Sequence, residues 1–263
     1  MMLPTTRYDA RRRVRGTLAF AVLLAAFALL IIYLFPTIAE SSTDIDALIE
    51  SLPESFREGF GAETYTTIEG FVAAELYQTV WVLLLGLYMA YAGGGLLAGD
   101  IESGRLYLVL ATPVSRKRIA FEKFLSLGLP IVVLNVTMPL VVFGGSVAID
   151  YPLDPSYLLV VHVLSIPYLL VCSGIGMALS AVLDRGDAAQ RSAIALVFLL
   201  FLLDSVTLGT DVEWLGAISP TRYLDPTEIL LHETIDLVDP LLLLLVAIVL
   251  VLWSLAYFQR RDL

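Results

Sequence analysis

The sequence predicts an all-α, polytopic membrane protein with six transmembrane helices, and three observations predict it. Hydrophobic residues make up 58% of the 263 residues and the mean hydropathy is +0.84, well above soluble composition. Apolar runs of roughly 18 residues or more, enough to cross a bilayer, recur along nearly the whole chain. The charged residues sort into alternating basic and acidic connectors between those runs. In hydrocarbon every backbone N–H and C=O must be bonded inside its own segment, so each run is expected to be helical. None shows the period-two alternation of a closed barrel.

The first run, 17–35, follows a basic head carrying Arg7, Arg11, Arg12, Arg13 and Arg15, which reads as an N-terminal interfacial helix. A cleaved signal peptide has a shorter apolar region and a small-residue site before its end, so the run is read as a retained span. Residues 37–75 form a polar, acidic outer loop. Within it Ile45, Leu48, Ile49, Leu52, Phe56 and Phe60 fall near helical spacing, with Pro53 suited to a first helical turn, and suggest short interfacial helices. The second run, 76–98, closes in Gly93, Gly94 and Gly95. A basic link, 99–123, leads to the third run, 124–149, where Pro130 and Pro139 predict kinks. The fourth, 157–183, holds Pro167 and the small residues Ser173, Gly174, Gly176 and Ala178, which let membrane helices approach closely. A tight polar loop precedes the fifth run, 192–208, then comes a second acidic outer loop, 209–239, and the sixth run, 240–258.

Positive charge is retained on the cytoplasmic side of short loops. Of the 16 Lys and Arg, five lie in the head, five in the 99–123 link, two in the 184–191 loop and two in the tail, leaving only Arg57 and Arg222 opposite. Both termini are therefore expected in the cytoplasm, with the chain in the plasma membrane. The carboxylates show the reverse bias: nine lie in 37–75 and seven in 209–239. This acidic exterior, in a chain of net charge −10 with two lysines, resembles proteins of halophilic archaea, in which dense carboxylates stay hydrated and salt screens their repulsion. A cation-attracting vestibule is the other reading.

Few residues offer chemistry. Asn135 and Thr137 in the third run and Asp204 in the fifth are the polar side chains that can line a pathway, although single polar residues in spans more often bond across helices or to the backbone. Cys172 with His162, His232 and Arg222 raises a thiol transpeptidase of the archaeosortase kind as an alternative, against a buried, packed cysteine. There is no H-E-x-x-H and no G-x-S-x-G, and neither lysine closes a phosphate-binding G-x-x-x-x-G-K-[ST] loop. No cofactor is expected in this chain, and no nucleic-acid partner.

The link remains. Leu106, Leu108, Val109 and Leu110 give an apolar face to a short helix in the membrane plane, with Glu102 near its N-terminus. Thr112 and Pro113 break it, and Ser115 can cap the helix that carries Arg116, Lys117 and Arg118. An acidic residue, a Ser-Gly pair, a leucine-rich stretch, then Pro-Val-Ser-Arg and a later Lys run in order as Glu102, Ser103, Gly104, Leu106, Leu110, Pro113, Val114, Ser115, Arg116 and Lys123. In this the chain resembles the permease subunits of type-2 ATP-binding-cassette (ABC) transporters, as it does in its basic head, six spans and large outer loops after the first and fifth spans. The resemblance implies that 99–123 is a cytoplasmic coupling helix, with Glu102, Ser103, Gly104, Arg105, Leu106, Leu110, Pro113, Ser115 and Arg116 facing a separate ATPase subunit that holds ATP and Mg. It also implies a non-catalytic chain paired with a second permease copy, as homodimer or with a close homologue, and export rather than import. A different class, a membrane enzyme or scaffold without an ATPase, predicts that no nucleotide-binding subunit is retained.

Overall fold

The computed structural model describes residues 4–40, 64–106 and 114–261. The suggested interfacial helices of 45–60, and Leu108, Val109, Leu110, Thr112 and Pro113 of the link, lie outside the described residues. Among the described residues all regular structure is helical, without strands. Six helices are long and apolar enough to cross a membrane. The first, α1 (Pro4–Ala39), takes in both the basic head and the first run: nothing in 13–20 breaks a helix, so head and span are one continuous rod. The second, α2 (Ile68–Gly94), starts eight residues ahead of the apolar run, because Thr67 caps it by accepting the Gly70 N–H.

A short α3 (Ala98–Glu102) follows, held by the Ser180 hydroxyl, which accepts the Leu97 and Ala98 N–H groups, both at 2.9 Å. The third run is split into α4 (Arg116–Leu125) and α5 (Gly128–Ala148). Pro130 explains the break: a prolyl ring clashes with the carbonyl four residues earlier, at Ser126, but is at home in a first turn. Then come α6 (Pro155–Val182), α7 (Gly186–Thr207), short α8 (Pro226–Leu230) and α9 (Val238–Arg260). Two 3₁₀ turns, Glu213–Ile218 and Pro220–Tyr223, lie in the second acidic loop.

The hub is α6, which packs on α2, α5, α7 and α9, while α1 lies at the edge against α5. Close approach at the hub depends on glycine. A β-carbon at Gly176 would strike the Ala90 carbonyl oxygen and come within 2.6 Å of the Gly94 nitrogen, and one at Gly93 would strike the Ser173 carbonyl oxygen. The two small-residue stretches therefore meet each other.

Within α2, residues Ala73–Leu85 form a π-helix of 13 residues, much longer than the usual single-turn bulge. The Thr79 hydroxyl donates to the Ala74 carbonyl five residues back, and Tyr168 donates to the Val82 carbonyl at 2.8 Å. The same stretch turns Tyr77 and Trp81 toward α6, where Tyr77 Oη lies 3.0 Å from His162 Nε2 and Trp81 Nε1 donates to Ser165 Oγ at 2.9 Å. A buried polar seam thus ties α2 to the hub in a region where leaving such groups unpaired is costly.

Candidate functional site

The four segments that sequence places on one side of the membrane converge at one end of the bundle. Lys123 of α4 is 4% exposed; its ammonium donates to Asp9 of α1 at 3.1 Å and to Asp100 of α3. Arg105 completes the cluster, 3.0 Å from Asp100. Thr6 donates to the Glu122 carbonyl at 2.9 Å, again joining α1 to α4. Glu102 reaches the start of α7 and accepts the Gly186 N–H at 2.8 Å, where a carboxylate meets unpaired donors and the positive end of the helix dipole.

The link is shaped by local rules. Gly104 has φ +70°, a conformation in which a β-carbon is strained, so the Ser-Gly pair reads physically as the stop of α3. Ser103 donates to the Gly99 carbonyl at 2.7 Å. Arg105 and Leu106 are helical again, and the Leu106 side chain is fully buried. Ser115 caps α4 by accepting the Arg118 N–H at 3.3 Å, the capping role its position predicts. Glu102, Ser103, Arg105 and Ser115 all keep exposed surface, whereas Arg116 is half-buried and donates to the Arg261 carbonyl. Leu110 and Pro113 lie outside the described residues.

The tail is anchored at the same end. Arg261 donates to the carbonyls of Ala181 at 2.7 Å and Leu183 at 3.2 Å and pairs with Asp184, closing the C-terminus of α6 as a basic side chain does at a helix end. Arg261→Ala leaves these carbonyls without that donor. It is expected to cost about 1–2 kcal/mol, measured by chemical unfolding in detergent micelles.

Asn135, Thr137 and Asp204 are not brought together. Asn135 donates to the Ile131 carbonyl at 2.8 Å and accepts from Ser165 at 3.2 Å, joining the α2–α6 seam. Thr137 donates back to the Val133 carbonyl at 2.8 Å. Asp204 lies in the last turn of α7 at the acidic end, accepting from Thr221 at 2.9 Å with Arg222 at 3.6 Å. Arg222 also pairs with Glu213, so this group pins the second acidic loop to α7. Cys172 is fully buried on the same helix as His162. Ten residues of α-helix separate them by about 15 Å, so the two form no thiol–imidazole pair.

Asp9 and Asp100 are the site residues that sequence reasoning did not single out, and Lys123 stood only as the last residue of the link motif, without its partners. A lone carboxylate within the arginine-rich head was the available signal for Asp9. Asp100 was legible only as a neighbour of Glu102.

The geometry defines a class: a six-helix integral membrane protein whose basic segments are knitted into one platform at one end. Across residues 7–263 the sequence matches the profile of the ABC-2 family transporter protein, and the chain belongs to that family, as a membrane-spanning permease subunit of ABC transporters. Membership implies an ATPase partner and a multi-pass membrane setting. No match is found among curated proteins.

Proposed function

We propose that this chain forms half of an ATP-driven transport pathway, that two copies or two similar chains complete it, and that the 99–123 link receives the motion of separate cytoplasmic ATPase subunits. The observation that carries this reading is the wiring of the link. Glu102 bonds to α7, Asp100 bonds to α4 and through Lys123 to α1, and Ser180 of α6 holds the start of α3. A push on the exposed Ser103 and Arg105 is therefore delivered to several spans at once.

ATP and Mg reside on the partner, and this chain contributes no catalysis. ATP binding favours one arrangement of the two bundles over another, and cargo moves by that difference in stability. Six spans make half a pathway, and a symmetric interface is the usual way for like subunits to complete one. The family pattern supports export, and the fourteen-to-two distribution of Lys and Arg supports cytoplasmic termini in the plasma membrane.

The test is retention of the nucleotide-binding subunit by affinity-purified permease. The double variant Glu102→Lys with Arg105→Glu is expected to lower retention at least tenfold while helical content by circular dichroism is kept. Undiminished retention by that variant, or turnover of a lipid or peptide by the isolated chain without ATP, contradicts the proposal.

A further inference from the structure

At the basic end, a cavity of about 420 Å³ opens between α1, the end of α2, the link, α4 and α7, within the roughly 300–1,000 Å³ range of small-ligand sites. Its cations are Arg12, Arg13, Arg105 and Lys123, and its anions are Asp9 and Asp100, an excess of two positive charges. The pairing is uneven. Lys123 and Arg105 are held by the two aspartates, whereas Arg12 and Arg13 have no carboxylate within ion-pair distance among the described residues. Arg13 is half-buried, so its charge is partly removed from water, with Asp9 and Asp100 near enough to favour it but not in direct contact. That combination of a cavity, spare guanidinium groups and neutral donors at Tyr91 and Gln190 suits a phosphate group, whose oxygens match the arginine fork.

The level in the membrane favours a lipid as its source. Arg13 stands one turn before Thr17, where the first apolar run begins. Tyr88 of the cavity wall stacks on Phe20 of α1 at 4.6 Å. Farther along the same face of α1, Leu23, Phe27, Leu30 and Leu34 are exposed and offer an apolar track for an acyl chain. Basic pockets between spans on the cytoplasmic side are suited to anionic headgroups.

We propose that this cavity holds a phosphate group, supplied by an anionic lipid headgroup as a resident ligand and gripped by Arg12 and Arg13, and that it fastens α1 to the link. The inference needs no ATPase, so its failure leaves the coupling proposal standing and can be told apart from it.

The experiment compares full-length protein in nanodiscs of phosphatidylcholine with and without phosphatidylglycerol, and in detergent with inorganic phosphate, reading thermal stability and lipid retained after delipidation. Arg12→Gln with Arg13→Gln is compared with Arg11→Gln with Arg15→Gln, which removes the same charge from arginines of the same head that do not line the cavity. The expected result is stabilisation by phosphatidylglycerol that the first double variant weakens at least tenfold in half-saturating lipid fraction and the second leaves within twofold. Stabilisation by inorganic phosphate with the same dependence on Arg12 and Arg13 supports the phosphate site and assigns a free anion as a further source. Equal losses in both double variants, or no stabilisation of the parent protein by either ligand, overturn the proposal. If the first variant fails to fold, Arg12→Lys with Arg13→Lys takes its place, and unchanged binding there contradicts the role of the guanidinium fork.

Discussion

Gly176→Val is expected to be the most damaging single substitution in the bundle, costing about 3 kcal/mol or more and releasing α2 from the hub. The reason is geometric. The position of a β-carbon on Gly176 is already taken by the Ala90 carbonyl oxygen, with the Gly94 nitrogen at 2.6 Å and the Gly93 carbonyl carbon at 3.0 Å. These are backbone atoms of a helix, so no rotamer change relieves the clash and the two helices must part. The Tyr77–His162 and Trp81–Ser165 bonds span the same helix pair, and separation exposes them together. Gly144→Ala is the control, because nothing lies within 4 Å of its added carbon. Chemical unfolding in micelles should find that variant within about 1 kcal/mol of the parent, on the stable side if either.

Lys123→Met is expected to have the second largest effect, about 3 kcal/mol. Methionine fills most of the volume but leaves Asp9 and Asp100, 15% and 13% exposed, facing each other without their shared cation. Arg105 remains on Asp100 but does not reach Asp9 within ion-pair distance. Burying an unpaired carboxylate costs far more than the pair itself contributes, so the loss should be recovered in part by Asp9→Asn in the same chain. A double-mutant cycle over Lys123 and Asp9 measures this coupling. A purely additive cycle contradicts the proposed bond. Because this cluster joins α1, α3 and α4, limited proteolysis should also cut the head of Lys123→Met faster.

The spans, and the gathering of the basic connectors at one end of the bundle, were legible in the sequence because both follow from bulk properties. A bilayer requires long apolar runs, and membrane insertion sorts basic connectors, so counting residues is enough. The packing partners were less legible. Gly176, in the small-residue stretch of the fourth run, announced a close helix approach, but only the fold matches it to Gly93. The π-helical course of Ala73–Leu85 left no mark in hydropathy. Its consequence, Tyr77 and Trp81 reaching His162 and Ser165, explains why a histidine, a serine and Asn135 sit inside apolar runs. Helix ends were read best where a side chain enforces them, as at Ser115, whereas the stop of α3 at Gly104 was not read. They were read less well where polar residues continue a helix beyond its apolar part, as at the start of α2. In the link, Glu102 and Arg105 stood out by charge, whereas Asp9 and Lys123 matter through a contact made across more than a hundred residues of chain.

Access to Ser103 tests the coupling role of the link most directly. It lies exposed at the turn after α3, and the single native thiol, Cys172, is fully buried and leaves a low background. With Ser103→Cys, a membrane-impermeant maleimide should label inside-out vesicles but not intact cells, and saturating ATPase subunit should slow that labelling at least tenfold. Labelling of intact cells, or a rate inside that the ATPase subunit leaves unchanged, would contradict a link that faces the cytoplasm and receives the ATPase.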